Sequence, residues 1–205
     1  MGLLGVQAIV GVARCVGCGR REGVLCASCS AGMPPANPRE APPPVGRLLC
    51  ALDYSGAARG LVLDLKLRAR RGAAEPLADH MVDALARAGS PASVVTWVPG
   101  RRPETRRRGF DHAAVLAHAV ARRIGLPTRP LLERVGGAID QTSLSAAERW
   151  VNLEAAFTAG PCQERVLVVD DLVTTGATLR ACGQALVEAG TERVEALIAC
   201  SAQAQ

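Results

Sequence analysis

Apolar positions recur along this chain in two alternating rhythms. Val166–Val169 is an unbroken apolar run, as expected of a strand buried on both faces of a parallel sheet. Val94–Val98 and Val194–Cys200 are further strand candidates, each mostly apolar. Between them lie helical patterns. Leu77, Met81, Leu85 and Ala88 recur at helical spacing with Gly89 as a stop, and residues 47–90 read mainly as helices. Asp111 is placed to cap a helix with Ala113, Leu116, Val120 and Ile124 inward and Gly125 after it. A further helix is expected from about Thr178, with Leu179, Cys182 and Leu186 on one face and Gly190 at its end. Strands separated by helices imply an α/β fold with a parallel sheet.

Two N-terminal segments break this rhythm. Residues 1–32 hold a cysteine cluster. Residues 33–46 are proline-rich, and proline cannot join helix interiors or central strands, so this stretch is a linker or an extended strap. The expected division is therefore 1–46, a small module with its strap, and 47–205, the α/β domain. The apolar run Leu3 to Ala13 has no basic segment before it and no small-residue cleavage site after it. It reads as a short buried helix rather than a signal peptide.

Composition sharpens the picture. The 205 residues are 49% hydrophobic and 21% charged, enough to bury a real core. Aromatics make up only 2%, namely Tyr54, Trp97, Phe110, Trp150 and Phe157, so Val, Leu and Ala must fill that core. So few aromatics also disfavour a surface that binds nucleic acid by stacking bases. Net charge is +5, compatible with phosphate-bearing partners. Lys66 is the sole lysine; all other basic residues are arginines. No apolar run approaches the ~20 residues needed to span a bilayer, so no membrane insertion is expected. A cytoplasmic location is expected, and with it reduced cysteines. The isolated Cys50, Cys162, Cys182 and Cys200 read as small core residues.

Two motifs carry chemistry. Cys15-x-x-Cys18 and Cys26-x-x-Cys29 each bring two sulfurs to one point, and two such turns complete a tetrahedral thiolate site. A structural Zn²⁺ is the expected occupant, with an iron–sulfur cluster or a redox dithiol pair as alternatives. The second motif runs from Val166 to Thr178. A buried strand delivers Asp170 and Asp171, and a loop of Thr174, Thr175, Gly176 and Ala177 leads to Thr178 and a helix start. Ligands of open α/β sheets bind at such strand ends, and a helix N-terminus favours an anion. The aspartates suit ribose hydroxyls or a water-bound Mg²⁺, and the loop suits a phosphate. The glycine-lysine phosphate loop of nucleotide triphosphatases is absent, since Lys66 follows Leu65, and so is a dinucleotide-binding glycine fingerprint.

These residues resemble the type I phosphoribosyltransferases, which bind 5-phosphoribosyl-1-pyrophosphate with Mg²⁺. Further motifs make the chain similar to the ComF family within that class. They are the cysteine cluster, Tyr54-Ser-Gly, Leu65-Lys66-Leu-Arg68, Val98-Pro99, the stretch from Arg106 to Ala113, and the stretch from Gln141 to Leu153. One departure is visible: Asp111-His112 stands where the family usually has Asn-Gln. The resemblance implies that Asp170 and Asp171 hold ribose hydroxyls and that Thr174 to Thr178 hold the 5′-phosphate. It places the pyrophosphate at the loop after Val98-Pro99, with Gly100 and Arg101, and makes 134–157 a hood that closes over the reactants. Lys66, Arg106, Arg108, Gln141, Arg149 and Asn152 are the further pyrophosphate or hood candidates, and Arg149 joins the aspartates as a catalytic candidate. Among the arginines from 101 to 108, Glu104 is the only local opposing charge. The run reads equally as an active-site feature or as a solvated loop.

Three functions follow. The first is a phosphoribosyltransferase with an unknown acceptor. The absence of an acid at Thr174, where purine-salvage relatives carry one, argues against hypoxanthine or guanine. The second is a phosphoribosyl-pyrophosphate- or nucleotide-binding protein of DNA uptake, with competence-machinery proteins as partners. The third is an adaptor that binds single-stranded DNA weakly through the arginines and the zinc module.

Overall fold

The computed structural model describes residues 13–135 and 156–202. The expected helix at 3–13 therefore falls outside the described residues except for its last position. So do Gln141, Arg149, Trp150 and Asn152 of the expected hood.

The architecture is a four-stranded parallel sheet flanked by helices. In chain order the described elements are α1 (Ala27–Ala31), β1 (Arg47–Asp53), α2 (Gly56–Lys66), a 3-10 turn (Arg71–Ala73), α3 (Ala74–Ala88) and β2 (Val94–Trp97). There follow α4 (Arg102–Arg108), α5 (His112–Ile124), β3 (Leu132–Arg134), β4 (Phe157–Ala159), β5 (Arg165–Val173), α6 (Ala177–Glu188) and β6 (Arg193–Ser201). The sheet order is β1-β6-β5-β2, while β3 and β4 form a small antiparallel pair.

Alternation along the two central strands sorts the core into two layers. Leu167 and Val169 of β5 and Leu197 and Ala199 of β6 face α2, α3 and α5. Val166 and Val168, with Ala196 and Ile198, face α6, the β3–β4 pair and Val45 of the strap. Leu61, Leu65, Leu77, Leu116 and Leu197 are wholly enclosed, each worth about 1.5–3 kcal/mol of burial.

Two expectations from the sequence are corrected. The segment at 47–53 is strand β1, not helix. Leu48 and Leu52 mimic helical spacing, yet the strand's ladder runs from Arg47↔Glu195 to Asp53↔Ser201 along β6. The arginine run is not a loop but helix α4, with Pro103 in its first turn and Gly109 closing it in the left-handed conformation. Its charge is also less isolated than Glu104 alone suggests, because Arg102 pairs with Glu133 at 2.7 Å.

Both edges of the sheet are covered. Thr128 bridges to Val95 outside β2. On the other side the proline-rich segment is an extended strap: Pro35 bridges to Leu52, and the Ala36 N–H donates to the Ala51 carbonyl. Proline is tolerated there because an edge position leaves its missing donor unneeded. Met33 and Val45 anchor the strap in the core. The cysteine module sits on α2 and α3, with Val16 against Gly60 and the Ser30 hydroxyl 2.9 Å from His80 Nε2.

Candidate functional site

The four cysteine sulfurs come together. All lie within 4.8 Å of one another, and the Cys15–Cys26 and Cys18–Cys26 sulfurs are 3.7 Å apart. Metal–sulfur bonds of about 2.3 Å place the sulfurs of a tetrahedral site at about this separation, whereas a disulfide needs about 2.05 Å. The cluster is thus compatible with structural zinc. The knuckle is held by its backbone: the Cys15 N–H donates to the Arg20 carbonyl, and the Gly19 N–H to the Cys15 carbonyl. Backbone N–H groups of Cys18 and Cys26 bring the Cys15 thiol down to about 6. Sharing with the Cys26, Cys15 and Cys18 thiols pushes Cys29 up to about 12. Gly17 is required by space, since a Cβ there would stand 2.8 Å from Cys29 Sγ. Of the isolated cysteines, Cys162, Cys182 and Cys200 are buried and Cys50 only partly so.

The second cluster lies toward the carboxyl ends of β2 and β5. The strand β5 does not stop at the aspartates but continues past them to Val173. Asp170 and Asp171 therefore project from opposite faces of the sheet. Asp171 is enclosed on the side of α2 and α5, 1% exposed, with its Oδ1 3.4 Å from Lys66 Nζ and 3.5 Å from His112 Nε2. Its Oδ2 is buried with no partner among the described residues. Burial works against ionisation of Asp171, but the His112 contact and the Lys66 charge hold its carboxyl below the usual carboxylate range. Asp170 goes the other way. Burial, then the Asp171 charge beside it, push it well above that range, although the Asp171 N–H donates to its Oδ1 at 2.8 Å.

The phosphate-loop candidates follow directly. Thr174 and Thr175 are exposed, Gly176 adopts φ 82° to open α6, and the Ala177 N–H donates to the Thr175 hydroxyl at 3.4 Å. Ala177 and Thr178 form its first turn. The strap closes over this loop from outside: the Arg39 guanidinium donates to the carbonyls of Thr174 and Ala202 and to the Ser201 hydroxyl, and Pro42 lies against Gly176. Sequence reading misses Arg39 because its partners lie 135 and more residues away.

At the end of β2, the Gly100 N–H donates to Asp111 Oδ2 at 2.9 Å, while Asp111 Oδ1 accepts from the Ala113 N–H. One carboxylate thus caps α5 and pins the candidate pyrophosphate loop. Arg101 and Arg106 are exposed. Arg108 turns inward instead, donating to the Lys66 carbonyl at 2.6 Å and lying 3.0 Å from His112 Nδ1. Arg134 is another residue the sequence does not single out. It stacks over Phe157 at 4.4 Å and donates to the Pro99 carbonyl, and burial lowers its pKa. Its chain neighbours, Glu133 and Val135, give no signal of this role.

The ligand atoms of His112, Asp170 and Asp171 lie within 4.8 Å of one another. The carboxylate oxygens, one of them without a partner among the described residues, suit a hard cation such as Mg²⁺.

The phosphoribosyl transferase domain family matches residues 111–205. The DNA utilization protein YhgH of Salmonella typhimurium is 30% identical over 196 residues, covering 88% of this chain and 86% of that relative. Competence protein F of Haemophilus influenzae is 33% identical over 95 residues, 43% of this chain and 42% of its own length. Among solved structures, the glutamine phosphoribosylpyrophosphate amidotransferase from B. subtilis is similar at 22% identity and a TM-score of 0.46, over 67% of this chain and 30% of that one. The chain thus spans about a third of that enzyme's length.

Proposed function

Because this chain belongs to the ComF family of phosphoribosyltransferase-like proteins, we propose that it binds 5-phosphoribosyl-1-pyrophosphate with Mg²⁺ and transfers the phosphoribosyl group to an acceptor. One observation carries the reading: a strand with adjacent carboxylates runs into a threonine loop whose left-handed glycine opens α6.

In this reading Thr174, Thr175 and the first turn of α6 take the 5′-phosphate through hydroxyls and backbone N–H groups. Asp170 and Asp171 accept from the ribose hydroxyls. The exposed Arg101 and Arg106 face the diphosphate, and Lys66 lends a further positive charge from α2. The C1–oxygen bond breaks with its electron pair leaving on the diphosphate, and the acceptor forms the new bond to C1. Cations at the leaving group stabilise the charge that develops there. Asp170 would help to hold Mg²⁺ here, and the ion would supply that neutralisation. The cysteine module holds a structural zinc ion.

The names of the relatives favour a role connected with competence and DNA utilization. A second reading therefore keeps the ligand and drops the turnover, making the protein a ligand-binding partner of the uptake machinery. Single-strand binding through the arginines has less support, since Arg102 and Arg108 are engaged within the chain.

Titration calorimetry with phosphoribosyl pyrophosphate and Mg²⁺ tests the proposal. Binding that is lost when Asp170→Asn and Asp171→Asn are combined is expected, and pyrophosphate release with some acceptor separates enzyme from binder. No heat at millimolar ligand would sink both readings together.

A further inference from the structure

The acidic cluster contains one group with no place yet in the proposed chemistry. His112 opens α5, is 6% exposed, and stands between the last residue of α4 and the buried carboxylate of β5. Its two nitrogens have different neighbours: Arg108 Nη1 lies 3.0 Å from Nδ1, with Asp111 Oδ1 beyond hydrogen-bond reach at 3.8 Å, and Asp171 Oδ1 lies 3.5 Å from Nε2.

These neighbours fix the direction of both contacts. A guanidinium has donors and no acceptor. Nδ1 beside Arg108 must therefore accept, and the ring proton must sit on Nε2, facing Asp171. The polar contacts then run one way, from Arg108 through the imidazole toward the carboxylate. Arg108 is itself held by its Nε donating to the Lys66 carbonyl at 2.6 Å. Lys66 in turn reaches Asp171 Oδ1 with its ammonium at 3.4 Å. Both donors converge on the same carboxylate oxygen. The other, Oδ2, is buried and without a partner among the described residues, and a carboxylate oxygen in that condition is costly unless something supplies a donor.

The same logic bears on metal binding. His112 lies near enough to both aspartates to complete a three-ligand cation site, but ligation needs a lone pair at Nε2. With Arg108 in place, that nitrogen carries the proton. The cluster is arranged to accept hydroxyl donors.

We propose that His112 is a positioning residue: it accepts from Arg108 at Nδ1 and donates from Nε2 to Asp171 Oδ1, so that Asp171 Oδ2 is held as the acceptor for a hydroxyl of a sugar ligand. The last clause rests on the reading of the site as a phosphoribosyl pocket; the orientation of the relay does not. Arg108 thereby acts through His112 on Asp171, a role distinct from that of the exposed Arg101 and Arg106.

Chemistry supplies a discriminating substitution. In His112→Gln the amide oxygen replaces Nδ1 as acceptor and the amide nitrogen replaces Nε2 as donor. His112→Leu keeps the bulk and loses both. Long-range nitrogen–proton correlation spectra of the ¹⁵N-labelled full chain should show the Nε2–H tautomer for His112, and the Nδ1–H tautomer would overturn the proposal. This readout needs no ligand, so it stands even if phosphoribosyl pyrophosphate fails to bind. With phosphoribosyl pyrophosphate and Mg²⁺ as the probe, His112→Leu should weaken binding roughly tenfold, the scale of one hydrogen bond to a charged group. His112→Gln should stay within about threefold of the parent, and Arg108→Leu should add little to His112→Leu. Equal losses in the Gln and Leu variants, or none in Leu, would refute the relay. If the Leu variant does not fold, the Gln variant and the tautomer still decide.

Discussion

Gly183 is a position where two opposing effects can be weighed. It lies in the middle of α6, and a Cβ built there would stand 2.9 Å from Val45 Cγ2, with Pro44 Cδ at 3.5 Å. Replacing an interior helical glycine by alanine ordinarily stabilises by about 0.8–1 kcal/mol. Here the new methyl meets a β-branched side chain that is 5% exposed and has little rotamer freedom. Overpacking of that kind costs roughly 1–3 kcal/mol. The clash should win by about 1 kcal/mol, so Gly183→Ala should lower Tm by about 2–4 °C for a chain of this size. Val45→Ala removes the obstructing methyl, and in that background Gly183→Ala should raise Tm by a similar amount. Thermal unfolding of the four proteins in one buffer measures this reversal of sign. An increase in both backgrounds would show that the strap is not clamped against α6, and the packing argument would fail.

Other outcomes follow from the same physics. Because Asp170 is held above its unfolded value, its contribution is fully present below about pH 3.9 and is lost as pH rises through the native value. Asp170→Asn should thus raise Tm near neutral pH and change it little near pH 4, while weakening ligand binding; a Tm gap that does not grow with pH would contradict this. Chelation of the metal should lower Tm and open Cys18 to a thiol reagent, and a melting curve indifferent to chelator would count against a structural ion. Arg39→Ala should speed amide hydrogen exchange at Thr174 and Thr175 while leaving β5 protected, and uniform protection would remove the strap's part in holding the loop. Leu197→Ala, at a wholly buried position in β6, should cost about 2–5 kcal/mol in denaturant unfolding.

What could be read from the sequence depended on how local the signal is. Helix α5 announces itself at both ends, and the structure shows Asp111 accepting from the Ala113 N–H and Gly125 in the left-handed region. The β5 run needs only four apolar residues to be seen. Strand β1 was hidden because an edge strand is half-buried, and its buried positions, Leu48 with Ala51 and Leu52, fall at intervals a helix also uses. Helix α4 has no apolar face at all; Pro103 and Gly109 frame it instead. At the site, the cysteine knuckles and the Asp-Asp-threonine stretch are contiguous and therefore visible. Their supports are not. Arg39, Arg134 and the Arg108–His112 contact with Asp171 depend on pairings between distant segments, and no spacing rule encodes them. The departure at Asp111-His112 was the one hint, since it lay where an ordinary amide was expected.

The strap gives the molecule an unusual mechanical order. A segment that begins at the cysteine knuckles seals the outer edge of β1 and ends against α6, touching the Thr174 loop on the way. Metal loss at one end would therefore not stay local: slack in the knuckles passes along a short, proline-stiffened tether to the loop at the other. Cutting the chain at 46 would bare a strand edge and uncover the Thr174 loop in one stroke. Attempts to trim the N-terminal module for expression should therefore yield aggregation sooner than a smaller working protein.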